Sequence, residues 1–445
     1  MPQRESFLPQ AKSAGERAVE LHARYRGKIQ MLSKVPVDDP ADFAVWYTPG
    51  VAEPCRKIQA DPNLAYQLTN KANSVAIVSD GTRVLGLGDI GPLAGLPVME
   101  GKALLFKYLG GVDAFPLCLA TRDADELTRV VEVLQPSFGG VNLEDIAQPK
   151  CFRVLAALRE RLGIPVWHDD QQGTALVVVA ALQNALSCVG KSLANARIAL
   201  IGVGAANVAN FRLLVASGAS RSAFIACDRR GILHPRRRDL QEQSESFREK
   251  WELCQSTNEA GRTGGIAEAL QGADVCLAFS TPQENLIRPD WIRGMARDSI
   301  VFACANPTPE IWPRDAQAAG AAIVATGRSD LPNQVNNSLA FPGVFRGALD
   351  VRARAITDEM ALAAAQQLAS YAARGGLDPT AIVPRMDEIE VAVEVAVATG
   401  MAAQRLGLAE RPLPAEVLRT QARNTIQSAR AACQLLIQGG RIAPT

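Results

Sequence analysis

With 445 residues the chain can hold roughly two or three domains with substantial cores, and its 47 basic and 46 acidic side chains nearly cancel, to a formal charge of +1. That balance excludes a dedicated nucleic-acid binder. Nine cysteines without a C-x-x-C pair, most beside Ala, Leu or Val, exclude a disulfide framework and point to a reducing cytoplasm. The opening MPQRESFLPQAKSAGER has no apolar signal core, and the longest apolar run, 175–182, is far too short for a bilayer, so a soluble, unprocessed protein without membrane contact is expected.

Residues 11–33 read as one charged helix with an apolar stripe. A Pro-rich segment, 35–40, then carries the chain into Tyr47-Thr48-Pro49-Gly50, where Pro before Gly is turn chemistry. Apolar runs at 74–79 and 83–87 around Asp80-Gly81 have the pattern of a β-hairpin. A Gly-rich loop follows, then a helix from about Met99, a strand over 113–119 and a helix over 123–134.

Next, Val141-Asn-Leu-Glu144-Asp145-Ile precedes, and Ile164-Pro-Val-Trp-His168-Asp169-Asp170 follows, an amphipathic helix over 152–162 that Gly163 stops. Strand, helix and strand in that order make a right-handed crossover with parallel strands, so Glu144, Asp145 and Asp170 should emerge at neighbouring carboxyl ends. Carboxylates crowded there repel unless a cation joins them, and hard oxygen ligands suit Mg²⁺ or Mn²⁺. Acidic helix caps produce the same spacing, so spacing alone leaves both readings open. The chain has three histidines, of which only His168 is near this cluster, so a Ser-His-Asp triad or a two-histidine metal site is not expected. Proton transfer falls to Lys and Tyr.

Residues 174–187 read as a helix linking to a second α/β unit, with strands over 197–201, 223–227, 274–279, 300–304 and 322–325. These runs end in Gly202, Asp228, Ser280-Thr281, Asn306 and Thr326-Gly327, small or polar residues at the strand ends where an open parallel sheet binds ligands. Gly202-Val-Gly204-Ala205-Ala-Asn207 opens a helix after the first of these strands, as close approach to a pyrophosphate requires, although Asn207 stands where a third small residue is usual. Asp228 would meet the adenosine ribose. Helices dominate from Arg346, with 358–373 and about 386–404 the clearest. The expected fold is α/β: an N-terminal catalytic domain (1–170), a Rossmann-type dinucleotide-binding domain (171–345) and a C-terminal helical segment (346–445).

From Asp42 to Arg346 the chain resembles the malic enzymes, in particular their short bacterial form. The segments that carry the resemblance, in order, are Trp46-Tyr47-Thr48-Pro49-Gly50-Val51-Ala52, Val84-Leu-Gly-Leu-Gly-Asp89-Ile-Gly91, Pro97-Val-Met-Glu-Gly-Lys102, the acidic pairs, Gly202-Val-Gly204, Ala305-Asn306-Pro307-Thr308 and Asn336-Asn337-Ser-Leu-Ala-Phe-Pro-Gly343. The resemblance implies oxidative decarboxylation of L-malate to pyruvate and CO₂, with reduction of NAD⁺ or NADP⁺ and one Mg²⁺ or Mn²⁺ on Glu144, Asp145 and Asp170. It makes Lys102 the general base toward the malate hydroxyl and Tyr47 the acid that protonates C3 of enolpyruvate. A free lysine titrates near 10.4, so such a base needs its pKa lowered by roughly 3 units.

By the same resemblance Arg83, Asn306 and Asn337 meet the substrate, Asn306 also lies near the nicotinamide, and the protein is a homodimer, for which the helix at 11–33 is the expected element. Adjacent residues rarely face the same way, so Asp169 is expected to orient Lys102 or another group behind the ligands rather than bind metal, and His168 to be a packed structural residue. On the cofactor side, Gly202, Gly204, Ala205 and Asp228 form the dinucleotide site. Asp228 favours NAD⁺, whereas Arg229 and Arg230, unless they belong to a solvated loop, tilt the choice toward NADP⁺ by offering guanidinium groups to a 2′-phosphate. The alternatives are a malolactic-type enzyme with tethered nicotinamide, a lysine-based amino-acid dehydrogenase needing no metal, and a catalytically silent nucleotide-binding regulator. Asn207 and Gln172, where the family often carries His, are the departures that give the regulator some footing.

Overall fold

In the computed structural model, which describes residues 14–443, two parallel sheets are flanked and joined by helices. The first sheet holds β1 (Ser74–Ser79), β2 (Asp113–Cys118), β3 (Gly140–Leu143) and β4 (Val166–His168) in the order β2-β1-β3-β4, with every pair parallel. Parallel strands need crossovers. Helix α1 (Ala14–Tyr25) precedes the sheet; α2 (Gly91–Gly110), α3 (Ala124–Leu134) and α4 (Lys150–Arg161) then make the three returns. The Asp123 carboxylate caps α3 by accepting from the N–H groups of Asp125 and Glu126.

Helix α5 (Thr174–Cys188) links the sheets, and every residue from Ala175 to Leu182 is buried. The second sheet comprises β5 (Ile198–Ile201), β6 (Phe224–Asp228), β7 (Gly231–Ile232), β8 (Val275–Ala278), β9 (Ser299–Ala303) and β10 (Ala321–Thr326), in the order β10-β9-β8-β5-β6-β7. Only β6 and β7 pair antiparallel. Helix α6 (Ala205–Ala216) follows β5, and the strand order reverses between β5 and β8, the switch point at which a Rossmann-type sheet opens its ligand crevice.

The chain then adds α7 (Phe341–Asp350), α8 (Asp358–Ala373), α9 (Ile389–Arg405) and α10 (Ala415–Gln438). Helices α7, α9 and α10 pack against α2, and α8 packs against α5. One continuous apolar core therefore runs from Ile77 in β1 through Leu176 in α5 to Leu200 in β5, and includes Phe345 and Val395 of the last helices. Among the described residues no helix is long and apolar enough to cross a membrane.

Three expectations are corrected here. The charged helix ends at Tyr25, not at 33, because Arg26 and Gly27 take left-handed backbone (φ 56° and 109°); its positions 11–13 lie outside the described residues. Residues 83–87 form no hairpin with β1. The strand partners of β1 are β2 and β3, and Leu85 and Gly88 at φ 46° and 77° curl the segment into a loop with a single Val84–Gly88 bridge. Helix α2 begins at Gly91, eight residues before the expected Met99, with Pro92 in its first turn and Pro97 accommodated inside.

Candidate active site

Leu143 and His168 are register partners at the ends of β3 and β4, so the residues that follow leave the sheet side by side. The Asp145 N–H donates to Asp170 Oδ2 at 2.8 Å, with Asp145 itself held at φ 55°. One carboxylate oxygen from each of Glu144, Asp145 and Asp170 lies within 4.8 Å of the other two. Asp169–Gly173 form a single π-helical turn. Such turns re-aim side chains at functional sites, and here the two adjacent acids diverge.

Asp169 faces Lys102. The Lys102 Nζ, on α2, stands 2.5 Å from Asp169 Oδ2, 3.0 Å from Glu144 Oε1 and 4.4 Å from the centre of the Phe341 ring, and the side chain is buried. Trp167 Nε1 donates to the other Asp169 oxygen at 3.0 Å. A Cβ at Gly173 would come within 1.9 Å of that same oxygen, so only glycine leaves room for this carboxylate.

The electrostatics follow from burial. It raises all three clustered carboxyls, and repulsion from Asp170 adds to it at Asp145, which is pushed up to about 8. Burial would lower Lys102, but the attraction of Asp169 and Glu144 outweighs it and holds the ammonium above its ordinary range. The lowered lysine pKa expected of a base is therefore not what this arrangement produces: two carboxylates within hydrogen-bond reach keep the proton on. Burial pushes His168 down to about 4, consistent with a packed neutral ring. Asp145 Oδ2 is buried without a hydrogen-bond partner. Hard oxygens that repel one another, two of the three carboxylates buried, the third opening to solvent and one oxygen orphaned, fit a divalent cation.

Several substrate-side candidates gather nearby. The Arg83 N–H donates to the Asp145 carbonyl at 3.0 Å, while its exposed guanidinium donates to Leu85 O at 2.9 Å. A Cβ at Gly86 would meet Asn306 O at 2.4 Å, so the loops after β1 and β9 touch; Asn337 Cβ lies 3.3 Å from the Cβ position of Gly173. Tyr47 caps the short helix Phe43–Trp46, is 70% exposed, and makes no hydrogen bond to those carboxylates. Gln172 turns its Oε1 to the His168 N–H at 2.9 Å.

At the switch point, Gly202 takes φ 85°, and a Cβ there would come within 2.6 Å of Phe279 O. Gly204 is the N-cap of α6 and Ala205 its first residue. Asn207, in the place of the third small residue, is wholly buried, and its Nδ2 donates to the carbonyls of Ile201, Gly202 and Leu277 at 3.1, 2.7 and 3.1 Å. Sequence reasoning missed that role, and it missed Glu310. This buried carboxylate accepts from the N–H groups of Ser280 (2.7 Å) and Ala305 (3.1 Å), tying together the loops after β8 and β9. Nothing in the spacing around Glu310 announces it.

The Arg-rich run 229–238 is not simply a solvated loop. Arg237 is nearly buried, and its Nη1 and Nη2 reach the two Asp228 oxygens at 3.1 and 3.2 Å while it also holds Asp239 at 2.7 and 2.8 Å. Arg230 pairs with Asp239 at 3.0 Å.

Comparison with known proteins agrees with this layout. Residues 26–128 match the profile of the malic enzyme N-terminal domain, and 171–404 that of the malic enzyme NAD-binding domain. The NAD-dependent malic enzyme of Geobacillus stearothermophilus is 48% identical over 387 residues, 86% of this chain and 78% of that protein. The NADP-dependent malic enzyme of Halomonas elongata is 42% identical over 414 residues, 89% and 95% of the two chains. The crystal structure of Entamoeba histolytica malic enzyme superposes with a TM-score of 0.93 at 43% identity, covering 98% of this chain and 93% of that one.

Proposed function

This chain belongs to the malic enzyme family, and from that premise we propose that it oxidatively decarboxylates L-malate to pyruvate and CO₂ with NADP⁺ or NAD⁺ as the oxidant. The observation that carries the reading is the contact of Lys102 with Glu144, a member of the three-carboxylate cluster, at the mouth of two parallel strands. It joins a proton-transfer group to a cation-binding set within one hydrogen-bond length.

In this proposal Glu144, Asp145 and Asp170 hold Mg²⁺ or Mn²⁺, and Gly202, Gly204, Ala205, Arg230 and Asn306 hold the dinucleotide, with Asp228 paired to Arg237 at the edge of the ribose site. When bound, the cation withdraws electron density from the substrate oxygens and the nicotinamide accepts the hydride. With Glu144 engaged by a cation, one of the two carboxylates that hold the Lys102 proton is withdrawn, so the lysine can release that proton to solvent and then take the one from the C2 hydroxyl, while Asp169 fixes its Nζ and steadies the ammonium it becomes. Arg83, Asn306 and Asn337 orient the substrate carboxylates and hydroxyl. Tyr47 delivers a proton to C3 after CO₂ leaves; a phenol open to solvent reloads that proton readily.

The test is an L-malate assay with Mn²⁺, run with each nicotinamide and followed by pyruvate detection. Lactate without free reduced nicotinamide would assign a malolactic reaction, and activity that survives chelation would remove the metal. Nucleotide binding without turnover would leave a regulator.

The same reading makes the protein a cytoplasmic homodimer. Nine free cysteines suit a reducing compartment. Support for the dimer lies past α1: Met31 is 85% exposed, and Leu32, Phe43, Val45 and Trp46 are also open, whereas α1 itself shows only Val19 among its large apolar residues. Light scattering at micromolar concentration should give twice the chain mass, and a monomer would reject it.

A further inference from the structure

We propose that Arg237 is the positioning residue that opens the ribose site to a 2′-phosphate, by occupying the carboxylate that would otherwise select NAD⁺. The inference rests on the dinucleotide reading above. An aspartate at the end of the second strand of a Rossmann sheet accepts from a free ribose 2′-hydroxyl and repels a phosphate in its place. Here that carboxylate is already engaged. Both Asp228 oxygens accept from Arg237, at 3.1 and 3.2 Å, and the Arg230 N–H donates to Oδ1 at 2.9 Å. The Asp228 side chain is only 9% exposed.

Arg237 cannot easily leave, because its Nε and Nη2 are gripped by Asp239 and its Nη1 also donates to Gly231 O at 3.3 Å. A guanidinium forked onto a carboxylate is among the more stable ion-pair geometries. The local charge is then set by the remaining groups. Arg229, Arg230, Arg237 and Lys250 lie about Asp228 and Asp239, and Glu268 bonds the Gly265 N–H beside them, four cations against three anions. Beside them opens a cleft of about 520 Å³ lined by Arg229, Arg230, His234 and Arg237. An added phosphate would meet guanidinium groups there and a carboxylate whose charge is already paired.

Binding of NADPH and NADH to the full-length protein, followed by calorimetry or nucleotide fluorescence, tests this without malate. The wild type should bind NADPH. Arg237→Gln frees the Asp228 charge and should raise the Kd for NADPH by about tenfold or more while that for NADH changes less than about threefold. Adding Asp228→Asn to that variant should bring NADPH back to within about threefold of wild type. Equal weakening of both nucleotides, or no rescue by Asp228→Asn, would reduce Arg237 to a staple of the β6–β7 hairpin and overturn the proposal, as would absence of NADPH binding by the wild type.

Should Arg237→Gln not fold, Asp228→Asn alone decides. NADH affinity within about threefold of wild type is expected, and a loss of about tenfold would mean that Asp228 holds the ribose directly. Intact nucleotide binding without malate oxidation would defeat the proposed reaction and leave this test readable.

Discussion

Asp169 and Asp170 are neighbours in the chain that face different partners: Asp169 Oδ2 lies 2.5 Å from Lys102 Nζ, and Asp170 Oδ2 accepts from the Asp145 N–H at 2.8 Å. The π-turn separates them, and their substitutions should separate too.

Mn²⁺ should raise the melting temperature of the wild type, since a ligand at about a hundred times its Kd stabilises the folded state by about 2.7 kcal/mol. Asp170→Asn should lose most of that rise along with most activity, whereas Asp169→Asn should keep the rise while losing turnover. Thermal scans with and without Mn²⁺ check this, and a full Mn²⁺ response in Asp170→Asn would place the cation elsewhere.

Lys102 and Tyr47 should fail differently. Lys102→Ala removes the group at C2 and should depress both malate oxidation and the reduction of a 2-keto acid, by roughly a hundredfold or more. Tyr47→Phe should spare part of the ketone reduction, which needs no proton at C3. Steady-state rates in the two assays decide, and equal losses in both variants would contradict the division of labour.

Asn207→Ala leaves three carbonyls at the ends of β5, its following turn and β8 without their shared donor. Ile201 O keeps the Phe279 N–H, but Gly202 O loses this donor and Asn210 Nδ2 its acceptor, so a loss of about 1–3 kcal/mol in stability is expected, together with weaker nucleotide binding because the Gly202 loop loses its tether. Denaturant titration and a nucleotide Kd measure the two effects. A variant as stable as wild type would make the asparagine a mere space-filler.

Asp113 provides a pH signature away from the site. Burial would raise its carboxyl, but hydrogen bonds from Lys107, Asn73 and Asn70 outweigh it and hold the pKa at about 2, against an ordinary 3.8. A depressed folded-state value means stability that is present above pH 3.8 and lost as pH falls toward 2. Asp113→Asn should therefore cost about 2 kcal/mol near neutrality and progressively less below pH 4. Unfolding curves at pH 7 and pH 3 test it, and an equal cost at both would assign the effect to packing.

Much of this fold was legible because its strands are short apolar runs ending in glycine or polar residues, and the alternation with helices permits only parallel pairing. That logic anticipated the meeting of Glu144, Asp145 and Asp170 across a crossover. What the sequence concealed were choices of partner. Asp228 and Arg237 are nine residues apart, joined only because β6 and β7 fold back on each other, and no periodicity reveals such a pair. Arg83–Leu87 alternates like a strand, but positive φ at Leu85 and Gly88 wins. Lys102 was identifiable as a candidate, while its protonation depends on two carboxylates, one contributed after β3 and one after β4.

Helix α5 is sealed over its first two turns: Ala175 through Leu182 are all buried, with α6 and α8 packed against it. A helix of that kind cannot roll to expose a side to water, since each apolar residue uncovered would cost about 1.5–3 kcal/mol. Any relative movement of the two sheets would then have to carry α5 as an intact rod, with the bending confined to the loops at the strand ends. Amide hydrogen exchange should accordingly be slowest over 175–182 and fastest in those loops, and rapid exchange within 175–182 would show that the helix does not behave as such a rod.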